Sequence, residues 1–554
     1  MSETFGAQAK VALTPRAARR SSVRRLPRGV AIAAVIPIGL IALPIIYVVI
    51  RSADAGWAGI AAELFRDRTL MLFWNTSVLT FSVTGLSLLI GFAGAWCTER
   101  SDLPLAGLWR VLLALPLAMP AFVASFAWKS IGPTFQGLAG AVLILTLESF
   151  PLVFLPVAAA LRSMDAGPDE VSRSLGRGPI ATFLRVIAPR ALPAAGGGAL
   201  LVAAHMLSEF GALSLLRVQT LTTAIFQQYE LEFDNASGAV LSAMLMLLCL
   251  PVAFGEIHLR GVERRDKVGR SAMRSRRPAR LGRWTPFVIA FFLALASLSL
   301  GVPFGRLAYW LMRGVSVGRG LDAIGPALWG SISLAIPGTF ATTLVALPLV
   351  LLALRGGGRM ARLAERLPYI VHGLPGLVVA LSLVYAAIRL TPAIYQTRIV
   401  LFAAYAILFM PLAQSALRAS AELVSPEMED VARTLGRGSL AAFVSVTLPA
   451  LMPGFGAALA LVALELMREL TATLILAPTG VATLATEVWS LTSDGAYAAA
   501  APFAAALVLI SGLPVYVFTL RTLRPSSGRR SPKAQGGRSR TTGRHSIASI
   551  DEHA

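Results

Sequence analysis

The chain has 554 residues, of which 56% are hydrophobic and only 14% are charged, and its mean hydropathy is +0.69. A soluble domain carries about 25% charged residues, so this composition excludes an ordinary soluble protein and indicates one that crosses a membrane many times. The formal net charge of +21 could also reflect a nucleic-acid partner, and the positions of the basic residues decide between the two explanations.

We predict an all-α membrane protein with about twelve transmembrane helices, because roughly 20 apolar residues are needed to cross the hydrocarbon core. The predicted spans are 29–50, 75–97, 108–127, 137–160, 193–216, 237–257, 285–304, 327–354, 367–389, 397–418, 453–477 and 497–520. The first span follows a basic tail but is longer than the core of a secretory signal, so we expect it to be a retained anchor.

Lysine and arginine concentrate in the N-terminal tail, in the connection 258–284 and in the tail after Arg521. Placing these three segments in the cytoplasm satisfies the positive-inside rule, and loops 217–236 and 478–496, which lean acidic, then fall outside. We therefore predict a multi-pass protein of the plasma or inner membrane with both termini cytoplasmic. The surplus charge is a topology signal, so membrane lipid is a predicted partner and nucleic acid is not.

The chain divides into two halves of six predicted spans each. The predicted domains are a basic tail (1–28), a first repeat (29–257), a basic cytoplasmic linker (258–284), a second repeat (285–520) and a disordered basic tail (521–554). An even number of spans brings each half back to the side where it began, so the two repeats are expected to be parallel. The last tail is rich in Ser, Gly and Arg, a composition that cannot bury a core.

A polar segment between the fourth and fifth spans of each half occurs twice, 260 residues apart. It reads DEVSRSLGRGPIATFLRVIAPRALPAAGG at 169–197 and EDVARTLGRGSLAAFVSVTLPALMPGFGA at 429–457. Each copy predicts a short helix that follows a proline and has acids in its first turn, where they favour the helix dipole. The repetition itself indicates that something outside the membrane is contacted twice.

The predicted short helix of the first copy carries Val171 and Leu175 on one stripe. Gly176 and Gly178 are expected to allow a sharp turn into a second short helix, and Pro189 to end that helix at the membrane. The corresponding residues of the second copy are Val431, Leu435, Gly436, Gly438 and Pro449. Such a unit can present a compact protruding surface to a partner protein, or it can lie as an amphipathic loop on lipid headgroups.

These two segments resemble the EAA motif of ABC importer permeases, in which E-A-A, a glycine four positions further on and a leucine-proline pair keep fixed spacing. The matching elements are EVS at 170–172, Gly176 and VIAP at 186–189 in the first copy, and DVA at 430–432, Gly436 and VTLP at 446–449 in the second. The resemblance implies a type I, MetI-like permease fold. It also implies that each segment is a coupling loop, about 162–192 and 419–452, that docks on an ATP-hydrolysing subunit.

The residues that the resemblance assigns to ATPase coupling are Glu170, Gly176, Arg177, Gly178 and Pro189, with Asp430, Gly436, Arg437, Gly438 and Pro449. A Walker A loop needs Gly-Lys followed by Ser or Thr, and none of the lysines, Lys10, Lys129, Lys267 and Lys533, follows a glycine. The chain is therefore not expected to be an enzyme or to hold a cofactor. ATP and Mg would be used by a partner ATPase subunit, in two copies.

The stretches 209–229 and 468–502 resemble ferric-iron permeases that are served by an extracytoplasmic iron-binding protein. This resemblance spans both halves, as expected for one fused chain that replaces a permease dimer. It implies transport of ferric iron from that binding protein into the cytoplasm by alternating access. Thiamine and polyamine permeases have similar layouts and remain alternatives.

Ionisable residues at membrane depth are costly and usually functional. Glu209 and Glu469 occupy equivalent positions in the fifth and eleventh predicted spans, where two carboxylates could attract a hard cation such as Fe(III). Glu148 and His205 are further candidates for this translocation path, Glu465 and His372 are weaker ones, and no metal ligand is assigned. Alternatively, Glu465 and Glu469 pair locally with Arg468 or with neighbouring backbone, and His205 is a packing residue.

Two other classes of protein share some of these features. A secondary transporter driven by an ion gradient would explain twelve spans in two parallel halves but not the duplicated loop, and loop 98–107 lacks the Asp-Arg-x-Gly-Arg signature of that superfamily. A membrane scaffold would explain the repeat but not its glycines and prolines.

Overall fold

Helices form nearly all of the regular structure in the computed structural model, which describes residues 28–165, 167–230, 232, 234–266, 278–315, 321–355, 358–372, 374–421 and 426–523. Every structural statement below refers to these residues. The predicted N-terminal tail and the predicted disordered tail lie outside them, except for residue 28 and residues 521–523.

The part of the first half that the structure describes contains fourteen α-helices. They are α1 (Arg28–Ala33), α2 (Val35–Asp54), α3 (Gly56–Leu64), α4 (Asp67–Arg100), α5 (Ala106–Ala114), α6 (Ala121–Lys129), α7 (Gly137–Ser149), α8 (Pro151–Ser163), α9 (Gly167–Ser174), α10 (Pro179–Thr182), α11 (Ala188–Ser208), α12 (Gly211–Leu215), α13 (Leu221–Glu230) and α14 (Asn235–Asp266). A 3-10 turn, Leu115–Ala118, follows α5, and a π-helical turn, Phe183–Ile187, joins α10 to α11.

The second half follows a similar order with twelve helices among the described residues. Its helices are α15 (Thr285–Ala296), α16 (Val302–Val315), α17 (Leu321–Arg355), α18 (Gly358–His372), α19 (Gly376–Leu390), α20 (Arg398–Ala421), α21 (Pro426–Thr434), α22 (Ser439–Ala442), α23 (Leu448–Met467), α24 (Thr471–Leu476), α25 (Leu484–Ser493) and α26 (Tyr497–Leu523). The π-helical turn recurs as Phe443–Thr447, again 260 residues later.

Within the described residues, nine helical stretches are long and apolar enough to cross a membrane. They are Val35–Asp54, Asp67–Arg100, Gly137–Ser163, Phe183–Ser208, Asn235–Glu256, Gly282–Gly314, Asp322–Leu354, Arg398–Ala421 and Phe443–Met467. A bent pair, Ala106–Ala118 with Ala121–Lys129, and two shorter apolar helices, Gly376–Leu390 and Tyr497–Gly512, fall on the three other predicted spans. The predicted all-α fold of two six-span repeats is confirmed.

Four predicted spans are interrupted rather than continuous: the third, the fifth, the ninth, which is divided between α18 and α19, and the eleventh. The third bends by 89° between its two parts, because Met119, which precedes Pro120, is extended, as the residue before a proline prefers to be. The fifth and eleventh end at Ser208 and Met467, and the chain resumes as the short helices α12 and α24. Hydropathy alone cannot reveal such breaks, since the residues on both sides are apolar.

The first membrane helix of each half packs against the other half. Tyr47 of α2 contacts Tyr385 of α19, with ring centroids 5.2 Å apart. Phe292 of α15 packs on Trp109 of α5 at 5.5 Å. Each buried hydrophobic cluster therefore draws side chains from both halves, and the two repeats form one interlocked body.

The connection between the halves is attached to the first half. Helix α14 continues to Asp266, into the predicted linker. At the far end of the linker, Ala279 pairs with Ser101 in an isolated parallel β-bridge. The Ala279 N–H donates to the Arg100 carbonyl at 2.8 Å, and the Leu281 N–H donates to the Asp102 carboxylate at 2.8 Å.

Candidate functional site

The two duplicated segments, here named loop A (residues 167–188) and loop B (residues 426–448), have the same backbone. Helix α9 or α21 ends at a glycine in the left-handed region, Gly176 with φ +78° and Gly436 with φ +85°. The following N–H, of Arg177 or Arg437, donates to a carbonyl five residues earlier at 3.2 Å. This is a Schellman motif, in which glycine avoids the steric cost of a Cβ at the left-handed position.

The second glycine of each loop does not form the sharp turn that was predicted for it. Gly178 and Gly438 are not in the left-handed region. Each instead provides the carbonyl that begins the next short helix, accepting from Thr182 N–H at 3.0 Å and from Ala442 N–H at 2.9 Å. The prediction that both glycines form the sharp turn is wrong, because one left-handed residue is enough to reverse the chain.

The prolines also differ from their prediction. Pro189 and Pro449 do not end the short second helix, since the chain runs through the π-helical turn directly into α11 or α23. Each proline lies at the second position of that long helix. The π-helical turn just before it accommodates the proline, which has no N–H to donate and would otherwise clash with the preceding helical turn.

Both loops expose apolar side chains at equivalent positions. Leu175 is 71% exposed and Leu435 is 77% exposed. The other exposed apolar pairs are Val171 with Val431 and Leu184 with Val444. Glu170, Arg177 and Arg437 are also exposed, and Asp430 is half-buried. Two matching apolar patches with charged neighbours are suited to receive a partner surface twice.

Loop A is supported by polar contacts. The Arg100 guanidinium, which is buried, donates to the half-buried Asp169 carboxylate at 2.7 Å. Ser172 and Thr182, only 4% and 1% exposed, share a hydrogen bond at 3.1 Å. Phe183 packs edge-on against Trp96 of α4 at 5.8 Å.

Loop B is supported by different side chains at the same positions. Ala432 and Ala442, which are 7% and 0% exposed, replace the hydroxyl pair of loop A. The carboxylate of Glu429, at the position of Asp169, accepts a hydrogen bond from Thr447. The position of the motif's second alanine is buried in both loops, which explains why only a small residue fits there.

The predicted path residues of the first half lie together. His205 Nε2 is 3.5 Å from Glu148 Oε2 and 3.8 Å from Glu209 Oε2. Glu148, which is buried, also accepts a hydrogen bond from Ser149 Oγ at 2.7 Å. His205 is therefore in contact with two carboxylates and is not an apolar packing residue.

Glu209 and Glu469 lie at the helix breaks and not inside continuous spans. Glu209 accepts from the Ala212 N–H at 2.8 Å. Glu469 accepts from the N–H groups of Ala472 and Thr473 at 2.8 and 2.9 Å, and from Thr473 Oγ1 at 2.6 Å. Both carboxylates thus satisfy free N–H groups at the start of a short helix. The breaks are neighbours, since a Cβ on Gly211 would lie 2.6 Å from Leu470.

Arg468 links the two halves beside these carboxylates. Its guanidinium forms two bonds to Glu465, at 2.5 and 3.0 Å, and donates to the Leu117 carbonyl of the first half at 3.2 Å. Glu465 therefore has the local partner that the alternative interpretation expected, whereas Glu469 pairs with backbone. Among the described residues, no group of three His, Cys, Asp or Glu side chains is arranged to hold a metal ion.

The sequence matches a family model twice. Residues 17–256 and 346–523 fit the model described as binding-protein-dependent transport system inner membrane component. The chain belongs to this permease family. The resemblance stated from the duplicated loops is confirmed, and the chain is a multi-pass membrane permease of a transport system.

Named relatives of the permease differ in how much of it they cover. The Fe(3+)-transport system permease protein FbpB 2 of Haemophilus influenzae is 42% identical over 492 residues, which are 87% of this chain and 96% of the relative. The molybdenum transport system permease protein ModB of Azotobacter vinelandii is 31% identical over 202 residues, 32% of this chain and 89% of that relative. A probable sulfate transport system permease protein cysT of Helicosporidium is 26% identical over 240 residues, 39% of this chain and 88% of that relative.

Sequence reasoning missed two arginines of the permease. Arg100 and its partner Asp169 are 69 residues apart, and Arg468 was considered only as a local partner. The sequence does place Arg468 inside a predicted membrane span, where a charged side chain needs a compensating partner. The weaker candidate His372 has a side chain outside the described residues.

Proposed function

We propose that the chain is the permease subunit of an ATP-driven importer that moves ferric iron from an extracytoplasmic binding protein into the cytoplasm by alternating access. The observation that carries this proposal is the 42% identity to an Fe(3+)-transport permease across both halves of the chain. The molybdenum and sulfate permeases each cover about a third of it. Thiamine and polyamine remain the alternative substrates.

Loops A and B are the proposed docking sites for two copies of an ATPase subunit. Their exposed leucines, Leu175 and Leu435, would enter an apolar groove, and the adjacent Glu170, Arg177, Asp430 and Arg437 would orient the contact. The long helices α11 and α23 follow each loop without interruption. A displacement of either loop is therefore passed along a continuous helix to the breaks at Glu209 and Glu469. ATP and Mg would be bound by the partner, and the permease itself would hold no cofactor.

The proposed orientation places both termini and both loops in the cytoplasm. The basic segments and the positive-inside rule support it. The opposite side then carries the acidic loop with Glu230, Glu232 and Asp234, all exposed. This loop is the proposed contact for the binding protein. Hydrogen bonds from Ser237 hold the pKa of Asp234 below its usual range, so its charge persists in mildly acid surroundings.

Iron passage would use carboxylates that attract a cation without chelating it. Glu148 and Glu209 beside His205, with Glu469 at the equivalent break, form the proposed path. Because the described residues contain no three-ligand metal group, we assign iron selectivity to the binding protein and only electrostatic guidance to the permease.

The test is reconstitution of the full chain with its ATPase subunit in proteoliposomes. Iron-loaded binding protein should stimulate ATP hydrolysis and ⁵⁵Fe uptake, whereas thiamine- or polyamine-loaded binding protein should not. If iron-loaded binding protein stimulates neither ATP hydrolysis nor ⁵⁵Fe uptake, the assignment of ferric iron as the substrate is wrong. Uptake that continues without ATP, while an ion gradient is kept, would overturn the transporter class in favour of a secondary transporter.

A further inference from the structure

The two helix breaks carry the same glutamate but different neighbours. Glu209 and Glu469 are repeated, while Ser208 of the first half corresponds to Arg468 of the second. Two further pairs of equivalent positions differ in charge, His205 with Glu465 and Glu148 with Leu408. At these equivalent positions, the second half supplies the arginine and the first half supplies the Glu148–His205 pair.

Arg468 reaches from its own half toward the carboxylates of the other. It is bound to Glu465 and to the Leu117 carbonyl, and Leu117 lies in the 3-10 turn just before the bend at Pro120. The neighbours of Leu117, Pro116 and Met119, line one small cavity together with Glu148. Arg468 is two residues from Leu470, whose side chain lies against Gly211 at the break that carries Glu209.

The carboxylates of this cluster outnumber its basic groups. Glu148, Glu209, Glu465 and Glu469 contribute four carboxylates, while His205 and Arg468 are the basic groups among the side chains described above. A buried carboxylate without a compensating charge is strongly destabilised, and an arginine is always protonated. Arg468 is therefore the permanent positive charge of the resting cluster.

We propose that Arg468 is an internal counter-ion, which takes the electrostatic place of the transported cation between transport cycles. This inference rests on the proposed function, since it takes the cargo to be a hard multivalent cation. A cation entering the path meets Glu148 and Glu209 near Arg468 and is repelled by the guanidinium. Arg468 thus sets a barrier to free cations, and relative movement of the halves, which breaks its bond to Leu117, lowers that barrier.

The cluster is open enough for a direct binding test. The side chains of His205 and Glu465 remain 33% and 31% exposed. The experiment uses the full chain assembled with its ATPase subunits in nanodiscs, without binding protein or ATP. Ferric nitrilotriacetate containing ⁵⁵Fe is the probe, and iron retained per permease is measured.

Arg468→Gln should retain at least about tenfold more ferric iron than the wild type, because a charge of one unit no longer opposes binding. Arg468→Lys should behave like the wild type. Ser208→Ala, at the equivalent position of the first half, is the matched control and should also retain only background iron. Glu148→Gln combined with Arg468→Gln should return to background, because one carboxylate has been removed with the arginine.

Retention by Arg468→Gln that does not exceed the wild-type value would overturn the inference. If Arg468→Gln alone does not assemble, the charge-compensated double variant Glu148→Gln with Arg468→Gln is compared with Glu148→Gln in ⁵⁵Fe uptake through the complete transporter. Glu148→Gln removes a negative charge that offsets Arg468 and attracts the cation, so it should slow uptake; the double variant should restore uptake several-fold, and no restoration would overturn the inference.

The two proposals fail separately. A wild-type transporter that imports no iron, together with an Arg468→Gln variant that retains iron, removes the proposed substrate but keeps the counter-ion. A wild-type transporter that imports iron, together with an Arg468→Gln variant that retains none, keeps the proposed substrate but removes the counter-ion role of Arg468.

Discussion

Loop A and loop B can be compared position by position, because every residue of one has an equivalent 260 residues later in the other. Their outer surfaces agree: a left-handed glycine ends the first helix, and a leucine just before it is exposed in both. Their inner surfaces differ, since loop A rests on the Arg100–Asp169 ion pair and a Ser172–Thr182 hydrogen bond. Loop B has alanines in place of those hydroxyl groups.

This difference indicates which features depend on a partner and which depend only on the chain. A surface that must fit two copies of one partner cannot change in one loop without losing that fit. The support beneath it can change, because a buried hydroxyl pair and a buried alanine pair both leave no unsatisfied polar group. The predictions below test this division, beginning with the largest expected effect.

Replacing both Gly176 and Gly436 with valine should abolish coupled transport. A residue with a Cβ in the left-handed region costs about 1–2 kcal/mol, and a β-branched one more, so both loops would leave their docking conformation. Co-purification of the ATPase subunit and ATP-dependent uptake measure the effect. The control is Gly197→Ala, outside both loops, where a Cβ meets nothing within 4 Å and the second repeat already has Ala457; full assembly of the valine variant would remove the docking role.

Replacing Leu175 or Leu435 singly with aspartate should weaken docking by about tenfold or more, since burying one leucine stabilises by roughly 1.5–3 kcal/mol. The two variants should have similar effects, because the outer surfaces agree. ATPase-subunit affinity for the reconstituted permease is the measurement. Ser174→Ala and Thr434→Ala, at exposed equivalent positions, serve as controls. A strong effect in one loop and none in the other would contradict the idea of two equivalent docking sites.

Replacing Asp169 with asparagine should loosen loop A alone. Arg100 would keep a neutral acceptor in place of a carboxylate, so we expect a local loss of about 1–3 kcal/mol. Hydrogen exchange of the backbone amides in residues 167–188 should become roughly tenfold faster or more, while residues 426–448 remain unchanged. Faster exchange in both loops would mean that the two supports are coupled rather than independent.

Replacing Ser172 and Thr182 together with alanine should change almost nothing, because this gives loop A the interior of loop B. We expect less than about 1 kcal/mol in stability and unaltered iron uptake. Ser172→Ala alone should be worse than the double variant, because Thr182 is then left with an unsatisfied buried hydroxyl. Thermal unfolding of the purified permease separates the two cases, and a single variant as stable as the double one would contradict this expectation.

Features set by neighbouring residues could be predicted from the sequence. A sharp turn at the glycine pairs could be predicted, because glycines after a short amphipathic stripe favour a helix end, but only Gly176 and Gly436 are left-handed. The apolar stretches gave helices at all twelve predicted positions, because hydropathy measures what the hydrocarbon core selects. The breaks at Glu209 and Glu469 were missed, since a carboxylate that caps the next helix looks like a charge within one continuous span.

The sequence by itself determined the duplication, the membrane setting and the shape of the two exposed loops. The duplication follows from a segment that recurs 260 residues later, and the other two follow from residue types and from spacings of a few positions. Only the tertiary structure decided that Asp169 meets Arg100 across 69 residues and that Arg468 meets Leu117 across 351. A charge buried in a low-dielectric interior needs a partner. Which partner it finds depends on how the two halves interlock, and no local pattern records that.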